Sequence, residues 1–233
     1  TLVLGGTGKT GRRVAGRLQA RSVPVRIGSR SGEPPFDWDK PETWAPALQG
    51  MSSAYISYYP DIAVPGAADL VGSFANLAVK EGVPRLVLLS GRGEEEAERA
   101  EQAVRDSGAD VTIVRSTWFM QNFSEDYMVD YVLAGEIALP GGETPEPFVD
   151  ADDIADVAVA ALTEDKHVGE LYELTGPRPL TLTDVAEELS AATGRDIRYV
   201  PVSIEEFAAT GAAQGIPAEA IDVLTYLFGE VLD

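Results

Sequence analysis

The stretch that decides the fold is TLVLGGTGKTG, residues Thr1–Gly11. Its apolar run Leu2 to Leu4 is typical of a buried strand, and the glycine-rich turn after it leads into an amphipathic segment, residues 12–20. Glycines have no Cβ, so the backbone can turn sharply and approach a ligand closely. A helix that begins after such a turn directs its N–H groups and positive dipole end at phosphates. The pattern predicts a dinucleotide site formed by Gly5, Thr7, Gly8, Lys9, Thr10 and Gly11.

This stretch has two other interpretations. The letters GKT also occur in the phosphate loop of nucleoside triphosphatases, but that loop requires a glycine five positions before Gly8, where Val3 stands. We therefore exclude a triphosphatase. A glycine-rich turn that binds no ligand stays open as the plain structural alternative.

Apolar runs and helical patterns alternate along the first half of the chain. This alternation predicts a doubly wound parallel α/β sheet, the Rossmann fold. The expected strands span residues 2–4, 25–29, 36–38, 54–58, 86–90 and 111–115, and the expected helices span 12–20, 41–48, 66–81 and 94–107.

After residue 115 the regular alternation of strands and helices ends, and a loop rich in proline and glycine follows residue 139. We expect a cofactor domain, residues 1–139, and a smaller C-terminal substrate lobe, residues 140–233, partly interwoven with it. Gly194 predicts a helix end, and Ser203 with Glu206 a capping box. The expected helices there span 121–133, 152–162, 183–193 and 218–232, and the expected strands span 137–139, 171–174 and 197–200. We also expect native residues beyond both ends.

Composition narrows the function classes. The chain has 233 residues, 45% of them apolar, and 38 acidic against 18 basic residues give a net charge of −20. Such a charge disfavours nucleic acid and anionic membranes as partners. There is no cysteine, and His167 is the one histidine, so we expect no metal site and no Ser-His-Asp triad. With no apolar run of membrane-spanning length and no signal peptide, the expected location is the cytoplasm. The sequence leaves open whether the protein forms a homodimer.

Six segments in order carry a family resemblance: GGTGKTG (5–11), FDWDKPETW (36–44), RLVLLSG (85–91), VRSTWFMQNF (114–123), PFVDADDIADVAVAAL (147–162) and the run 173–203. Together they resemble the NmrA-like branch of the atypical short-chain dehydrogenase/reductase superfamily. The resemblance implies an NAD(P)-binding Rossmann fold, with Asp37 and Trp38 near the adenine; packing is the alternative role for Trp38. Family members include quinone and azo-dye reductases and regulators that bind the dinucleotide without turning it over.

The end of the second strand indicates which dinucleotide binds. An NAD site places an acidic residue about 20 residues beyond the glycines. Here the sequence is GSRSG, residues 28–32, and Arg30 can bind a 2′-phosphate through its planar guanidinium. Lys9 supplies a second positive charge. We expect NADP(H), with an ordinary solvated arginine as the alternative for Arg30.

The carboxyl ends of the other strands should surround the nicotinamide and the substrate. Ser57, Tyr58 and Ser90 stand at two of these ends. The segment after the strand that ends near residue 115 should form an apolar wall suited to a flat substrate. The open alternatives are core packing for its aromatic residues and a helix-start role for Asn122. The expected wall residues are Trp118, Phe119 and Phe123, with Asn122 as the polar group.

The chain departs from typical short-chain dehydrogenases at the proton donor. Those enzymes use a Tyr-x-x-x-Lys pair, and no tyrosine here is followed by lysine four residues later. Some NmrA-like members carry a histidine or lysine where Ala97 aligns. Ser90 and Tyr58 are the remaining catalytic candidates. Two functions follow: an NADPH-dependent reductase of a small, planar or electron-poor substrate such as a quinone, azo compound or enone, and a non-catalytic NADP(H) sensor acting through a protein partner.

Overall fold

The computed structural model describes residues 1–126 and 128–232. The chain forms two compact units. The first consists of Thr1–Ser116 and Ala151–Leu174, and the second of Thr117–Asp150 and the residues from Thr175 onward. Residues 117–139 thus group with the second unit and residues 151–174 with the first. The functional division into a cofactor domain and a substrate lobe stays a prediction.

The strands confirm the predicted α/β fold with a doubly wound parallel sheet. Six of them form one parallel sheet in the order β2-β1-β3-β4-β5-β7, and β6 and β8 pair in a second, two-stranded parallel sheet. The strands are β1 (Leu2–Leu4), β2 (Arg26–Gly28), β3 (Ser53–Ile56), β4 (Arg85–Gly91), β5 (Asp110–Ser116), β6 (Glu136–Leu139), β7 (Leu171–Leu174) and β8 (Arg198–Pro201).

Ten α-helices lie among the described residues. Predicted helix 121–133 forms two helices, and Tyr127, which falls within that prediction, lies outside the described residues. The helices are α1 (Lys9–Ala20), α2 (Trp44–Leu48), α3 (Ala67–Lys80), α4 (Glu95–Asp106), α5 (Asn122–Glu125), α6 (Met128–Ala134), α7 (Ala151–Thr163), α8 (Leu182–Thr193), α9 (Ile204–Ala213) and α10 (Ala218–Tyr226); a π-helical turn, Leu227–Val231, follows.

The predicted strand at residues 36–38 was wrong. This segment is irregular, and the N–H of Phe36 bonds to the carbonyl of Ser29. Phe36 and Trp38 are both buried, and their rings meet edge-on at 5.0 Å. The alternating pattern therefore reflects two aromatic anchors of a loop, with Asp37 between them, and no ladder forms there.

The middle of each central strand is a run of mostly apolar residues because helices cover both faces of a parallel sheet. In β4 the residues Leu86, Val87 and Leu88 are fully buried. On one side of the first unit, α1 is tied to α7 by charge. Arg17 contacts Asp152 at 2.6 Å and Asp156 at 2.5 Å, and Arg13 contacts Asp152 at 3.1 Å. The two arginines are four residues apart, so they share one face of α1.

In the second unit, helix ends follow the expected chemistry. Ser203 and Glu206 form the predicted capping box at the start of α9, and a second box joins Thr181 and Asp184 at the start of α8. Gly194 ends α8 in the left-handed region, at φ +69°, as predicted. The core of this unit combines aliphatic side chains with the aromatic rings of Phe123, Phe148, Phe207 and Phe228.

Within the described parts of the chain, every helix is too short or too polar to cross a bilayer.

Candidate functional site

The glycine turn joins β1 to α1. Gly5 adopts φ +64°, and its carbonyl accepts a 2.8 Å bond from the N–H of Gly8. Gly8 is the N-cap of α1, so no capping side chain covers the helix end there. Thr7 and Gly8 form the exposed tip of the turn. This geometry leaves the N-terminal end of α1 uncovered by a capping side chain, so that its backbone N–H groups can bind an anion.

The other glycines of the turn have packing roles. A Cβ on Gly11 would lie 2.2 Å from the carbonyl oxygen of Gly5, which no real side chain tolerates. A Cβ on Gly6 would lie 2.8 Å from two methyl carbons of Ile27 in β2. At Gly8 the nearest atom, the oxygen of Gly5, is 3.2 Å away. Gly6 and Gly11 therefore fix the turn against its neighbours, whereas a Cβ on Gly8, at the exposed tip, would meet only this one oxygen.

Thr10 and Ser57 support the turn from within the first unit. The hydroxyl of Tyr55 donates a 2.9 Å bond to Oγ1 of Thr10, and both groups are buried. Burial raises the pKa of Tyr55 strongly, so its hydroxyl stays protonated. Ser57 lies against Gly5, where an added Cβ would be 3.2 Å from its Oγ. Both residues contact the turn itself; direct contact with a cofactor stays a prediction.

Arg30 lies at the end of β2. A turn closed by the bond from Gly32 N–H to the carbonyl of Ser29, at 3.0 Å, carries Arg30 and Ser31 as exposed residues at its tip. No acidic residue occurs between Gly28 and Gly32. The exposed guanidinium has room to meet an incoming anion.

Asp37 and Trp38 have structural partners. The carboxylate of Asp37 accepts a bond from the N–H of Asp39 at 3.2 Å and faces Lys40 at 3.5 Å. Trp38 packs against four other aromatic rings, including Tyr58 at 4.9 Å, and is 9% exposed. The packing role that the sequence left open for Trp38 is therefore present. The adenine role of both residues stays a prediction.

Tyr58 follows β3 and is half-buried. Burial first, and then the nearby carboxylate of Asp39, raises the pKa of its hydroxyl. Catalytic tyrosines of short-chain dehydrogenases need the opposite shift, which a lysine supplies. The surroundings of Tyr58 thus make it a poorer proton donor than a free tyrosine.

Ser90, near the end of β4, is bound into a buried polar network. Its hydroxyl donates a 2.6 Å bond to Glu101 in α4, and Ser90 is 2% exposed. Arg115 in β5 donates to both oxygens of Glu101, at 2.9 and 2.6 Å. A carboxylate that accepts three bonds from two strands is a rigid link between α4, β4 and β5. The hydroxyl proton of Ser90 is directed at this carboxylate.

A carboxyl group that the sequence analysis did not single out lies beside Ser90. Glu94, the N-cap residue of α4, is 9% exposed. Its carboxyl lies directly over Gly91, where a Cβ would come within 2.2 Å of both oxygens. Asp61, from the segment after β3, is its charged neighbour, and burial followed by Asp61 raises the pKa of Glu94 to about 8. In the sequence, the one feature that points to Glu94 is its place just after the end of a central strand.

In the second unit, the segment after β5 pairs with the loop before α7. Met120 N–H bonds to the carbonyl of Val149 at 2.9 Å, and Val149 N–H to the carbonyl of Trp118 at 2.8 Å. This pairing fixes the expected wall residues. Trp118 packs on Phe228, with ring centroids 5.0 Å apart, and Phe119 and Asn122 are half-buried.

A cavity of about 300 Å³ opens within the same unit. Its wall is mostly apolar, and the ion pair of Arg178 with Glu188 forms its polar part. Phe123 lines it, whereas Trp118, Phe119 and Asn122 do not. The lining residues are Met120, Phe123, Phe148, Pro177, Arg178, Leu180, Val185, Glu188 and Leu189.

Comparison with known proteins places the chain among dinucleotide-binding reductases. It is 36% identical to festuclavine synthase II of Penicillium roqueforti over 96% of this chain and 85% of that protein. It is 31% identical to the NAD(P)H azoreductase of Xenophilus azovorans over 97% and 85% of the two chains.

The fold recurs in solved structures. The NADPH-dependent quinone oxidoreductase of Escherichia coli, in complex with NADPH, matches with a TM-score of 0.78 at 24% identity, over 96% of this chain and 86% of that one. The NmrA-like family itself matches residues 96–231. The predicted resemblance is thus confirmed, and the chain belongs to the NmrA-like family.

Proposed function

We propose that the protein is an NADPH-dependent oxidoreductase that reduces a small planar or electron-poor substrate such as a quinone, an azo compound or an enone. The observation that carries this proposal is the turn from Gly5 to Gly8, which ends at an uncapped helix N-terminus above a parallel sheet. Such a turn is the pyrophosphate cradle of dinucleotide-binding folds. The NAD(P)H azoreductase among the relatives supports a reductase.

The residues of the first unit fit a dinucleotide. Gly8 leaves space that a Cβ would fill, next to the amide groups that begin α1. Arg30 is exposed at the end of β2, with no acid from residue 28 to residue 32 to repel a 2′-phosphate. The first feature fits the pyrophosphate of either dinucleotide, and the second favours NADP(H) over NAD(H). When bound, the reduced nicotinamide supplies a hydride.

The cavity of the second unit suits a flat apolar substrate. Its volume of about 300 Å³ is at the lower end of ordinary ligand pockets. Phe123 and Phe148 supply ring faces, and the guanidinium of Arg178, which is paired with Glu188, supplies N–H donors for an oxygen of the substrate. We propose that this cavity, with Phe123 in its wall, holds the substrate ring.

A substrate panel tests this function. Quinones, azo dyes, enones and imines are each incubated with the protein and NADPH, and oxidation of NADPH is followed by absorbance. We expect turnover with at least one class. Tight NADPH binding without turnover of any compound would contradict the reductase and favour the sensor, whose partner would then be sought as a protein.

A further inference from the structure

We propose that the ion pair of Arg178 with Glu188 selects substrates by charge: it admits uncharged rings to the cavity of the second unit and disfavours acidic ones. This inference rests on the proposed function, because it names the substrate class of the same cavity. Both side chains belong to the cavity wall, and the rest of that wall is mostly apolar. Among the described residues that line the cavity, Arg178 is the one cation and Glu188 the one anion. The charge that a ligand meets there therefore depends on this pair.

Arg178 is presented by a short loop that is held at both ends. The N–H of Gly176 donates to the carbonyl of Pro147 at 2.8 Å, and Leu180 exchanges two 2.9 Å backbone bonds with Glu146. A proline stands on each side of Arg178 in the sequence. A proline ring fixes its own φ and also restricts the residue before it, so the backbone at Arg178 has few alternatives. The guanidinium thus reaches the cavity from a stiff support.

Glu188 reaches the same place from α8. Val185, Glu188 and Leu189 all line the cavity, and their spacing of three and four residues puts them on one face of that helix. Nη2 of Arg178 donates to Oε1 of Glu188 at 2.5 Å. The side chains of Arg178 and Glu188 remain 55% and 61% exposed. The pair therefore lies where the cavity meets solvent, and an entering ligand can reach it.

The pair offers hydrogen-bond donors with little net charge. A guanidinium has five N–H donors, and the bond to Glu188 engages one of them. A neutral carbonyl oxygen on a ring can accept from another. An anionic group would be attracted by the same donors, but it would also meet the carboxylate of Glu188, so that attraction and repulsion nearly cancel.

A second carboxylate lies near the guanidinium. The pKa of Asp184 is lowered first by the bonds from Thr181 in the capping box, and also by the charge of Arg178. Asp184 therefore adds to the negative charge that an acidic ligand would meet beside Arg178. The net charge of −20 acts in the same direction over a longer range.

Binding of unreactive naphthalene probes tests the proposal without cofactor or turnover. On the same ring, 2-naphthylmethanol is uncharged, naphthalene-2-sulfonate is anionic and 2-naphthylmethylammonium is cationic. Calorimetric titration measures their affinities for wild type, Glu188→Gln, Arg178→Gln and the control Glu187→Gln. Glu187 is exposed on the same helix and is not among the lining residues. The control therefore removes the same charge from the chain without freeing Arg178.

Wild type should bind the alcohol more tightly than the sulfonate. In Glu188→Gln the guanidinium loses its partner, and sulfonate affinity should rise about tenfold, the scale of a half-exposed bond to a charged group. Alcohol affinity should stay within about twofold, because a neutral oxygen gains little from the freed charge. The sulfonate gain should shrink in about 1 M NaCl, where charges are screened beyond about 3 Å.

Two further variants test whether the guanidinium itself causes the gain. Arg178→Gln leaves Glu188 without its partner, so ammonium affinity should rise about tenfold. In the double variant that combines Arg178→Gln with Glu188→Gln, the sulfonate gain should disappear, since no guanidinium remains. With a sulfonated and an unsulfonated quinone as substrates, Glu188→Gln should lower KM for the sulfonated one alone and leave kcat unchanged.

Three results would overturn the charge selection. The first is a sulfonate affinity that does not change in Glu188→Gln. The second is an equal gain in Glu187→Gln, which would show that only the overall charge matters. The third is alcohol binding that persists in Leu189→Trp, because the ring would then bind outside this cavity.

The outcomes also separate this proposal from the reductase function. Turnover of panel compounds together with any of those three results would leave the reductase standing and overturn the role of the pair. Charge selection of the probes by a protein that oxidises no NADPH with any panel compound would overturn the reductase, and the cavity would remain a site for uncharged rings.

Discussion

The hydroxyl of Ser90 donates a 2.6 Å hydrogen bond to Oε1 of Glu101, a buried carboxylate that also receives two bonds from Arg115. This contact decides how Ser90 should be interpreted. A serine at the end of a central strand is a natural catalytic candidate, yet its hydroxyl here closes a network that joins α4 to β4 and β5. Ser90 is therefore expected to matter more for stability than for chemistry.

Replacing Ser90 with alanine should reduce stability more than it reduces catalysis. The variant leaves Glu101 with one donor fewer in a buried place, which costs about 1–3 kcal/mol of unfolding free energy. Turnover should fall by about tenfold or less, since an essential acid contributes roughly 100-fold to 10,000-fold. Denaturant unfolding and steady-state kinetics measure the two effects, with exposed Ser52→Ala as control. A stable Ser90→Ala whose kcat falls 1,000-fold would contradict this expectation.

Arg30→Ala should change cofactor preference. Loss of a charge-assisted phosphate contact costs about 1.5–3 kcal/mol, roughly tenfold to over a hundredfold in affinity. NADPH binding should weaken by this factor and NADH binding should not change, because NADH has no 2′-phosphate. Titration of both cofactors checks this, with Arg21→Ala, an exposed arginine just after α1, as control. Equal wild-type affinities for NADPH and NADH would remove the reason for assigning Arg30 to the phosphate.

Three glycines of the same segment should behave differently. Gly8→Val should fold but lose NADPH binding, because its side chain fills the tip of the turn while only the oxygen of Gly5, at 3.2 Å, is close. Gly11→Ala should lose stability, because its Cβ would lie 2.2 Å from that oxygen. Gly16→Ala meets nothing within 4 Å and should gain about 0.5–1 kcal/mol. Circular dichroism melts and NADPH titration separate these outcomes. A Gly8→Val variant that binds NADPH normally would move the phosphate site elsewhere.

Leu189→Trp should block the cavity of the second unit. Leu189 lines it from α8, and an indole in its place would occupy much of the volume of about 300 Å³. We expect a higher KM for the substrate and an unchanged NADPH affinity. The matched control is Glu187→Trp, an exposed position on the same helix. An unchanged KM for Leu189→Trp would exclude this cavity as the substrate site.

The sequence predicted the parts of the fold that depend on local chemistry. The glycine turn, the alternation of strands and helices, the helix end at Gly194 and the capping box of Ser203 with Glu206 all have signals within a few residues. The strand predicted at 36–38 was wrong because two buried aromatics at alternate positions look the same in a strand and in an anchored loop. Which of the two forms depends on whether a neighbouring strand is present to pair with it.

The candidate site was predicted less completely, since side-chain partners come from distant parts of the chain. Nothing near Ser90 in the sequence indicates that Glu101 accepts its hydrogen bond, since that contact needs α4 to lie on β4. The ring of Trp118 packs on Phe228, more than a hundred residues later, and its place in the substrate wall stays a prediction. Glu94 begins an acidic run that looks like a solvated helix start. Its burial is a tertiary property.

The ion pairs from Arg13 and Arg17 to Asp152 and Asp156 join α1 to a helix that is synthesised more than a hundred residues later. The ribosome makes the glycine turn first, but α7 and β7, which complete the unit around it, come from residues 151–174. Until these have left the exit tunnel, α1 lacks its salt-bridge partners and β5 has an unpaired edge. A nascent chain stopped before residue 151 therefore carries the whole cofactor motif without its support. This late completion leaves the partial chain exposed to mispairing, because an open strand edge invites pairing with other chains.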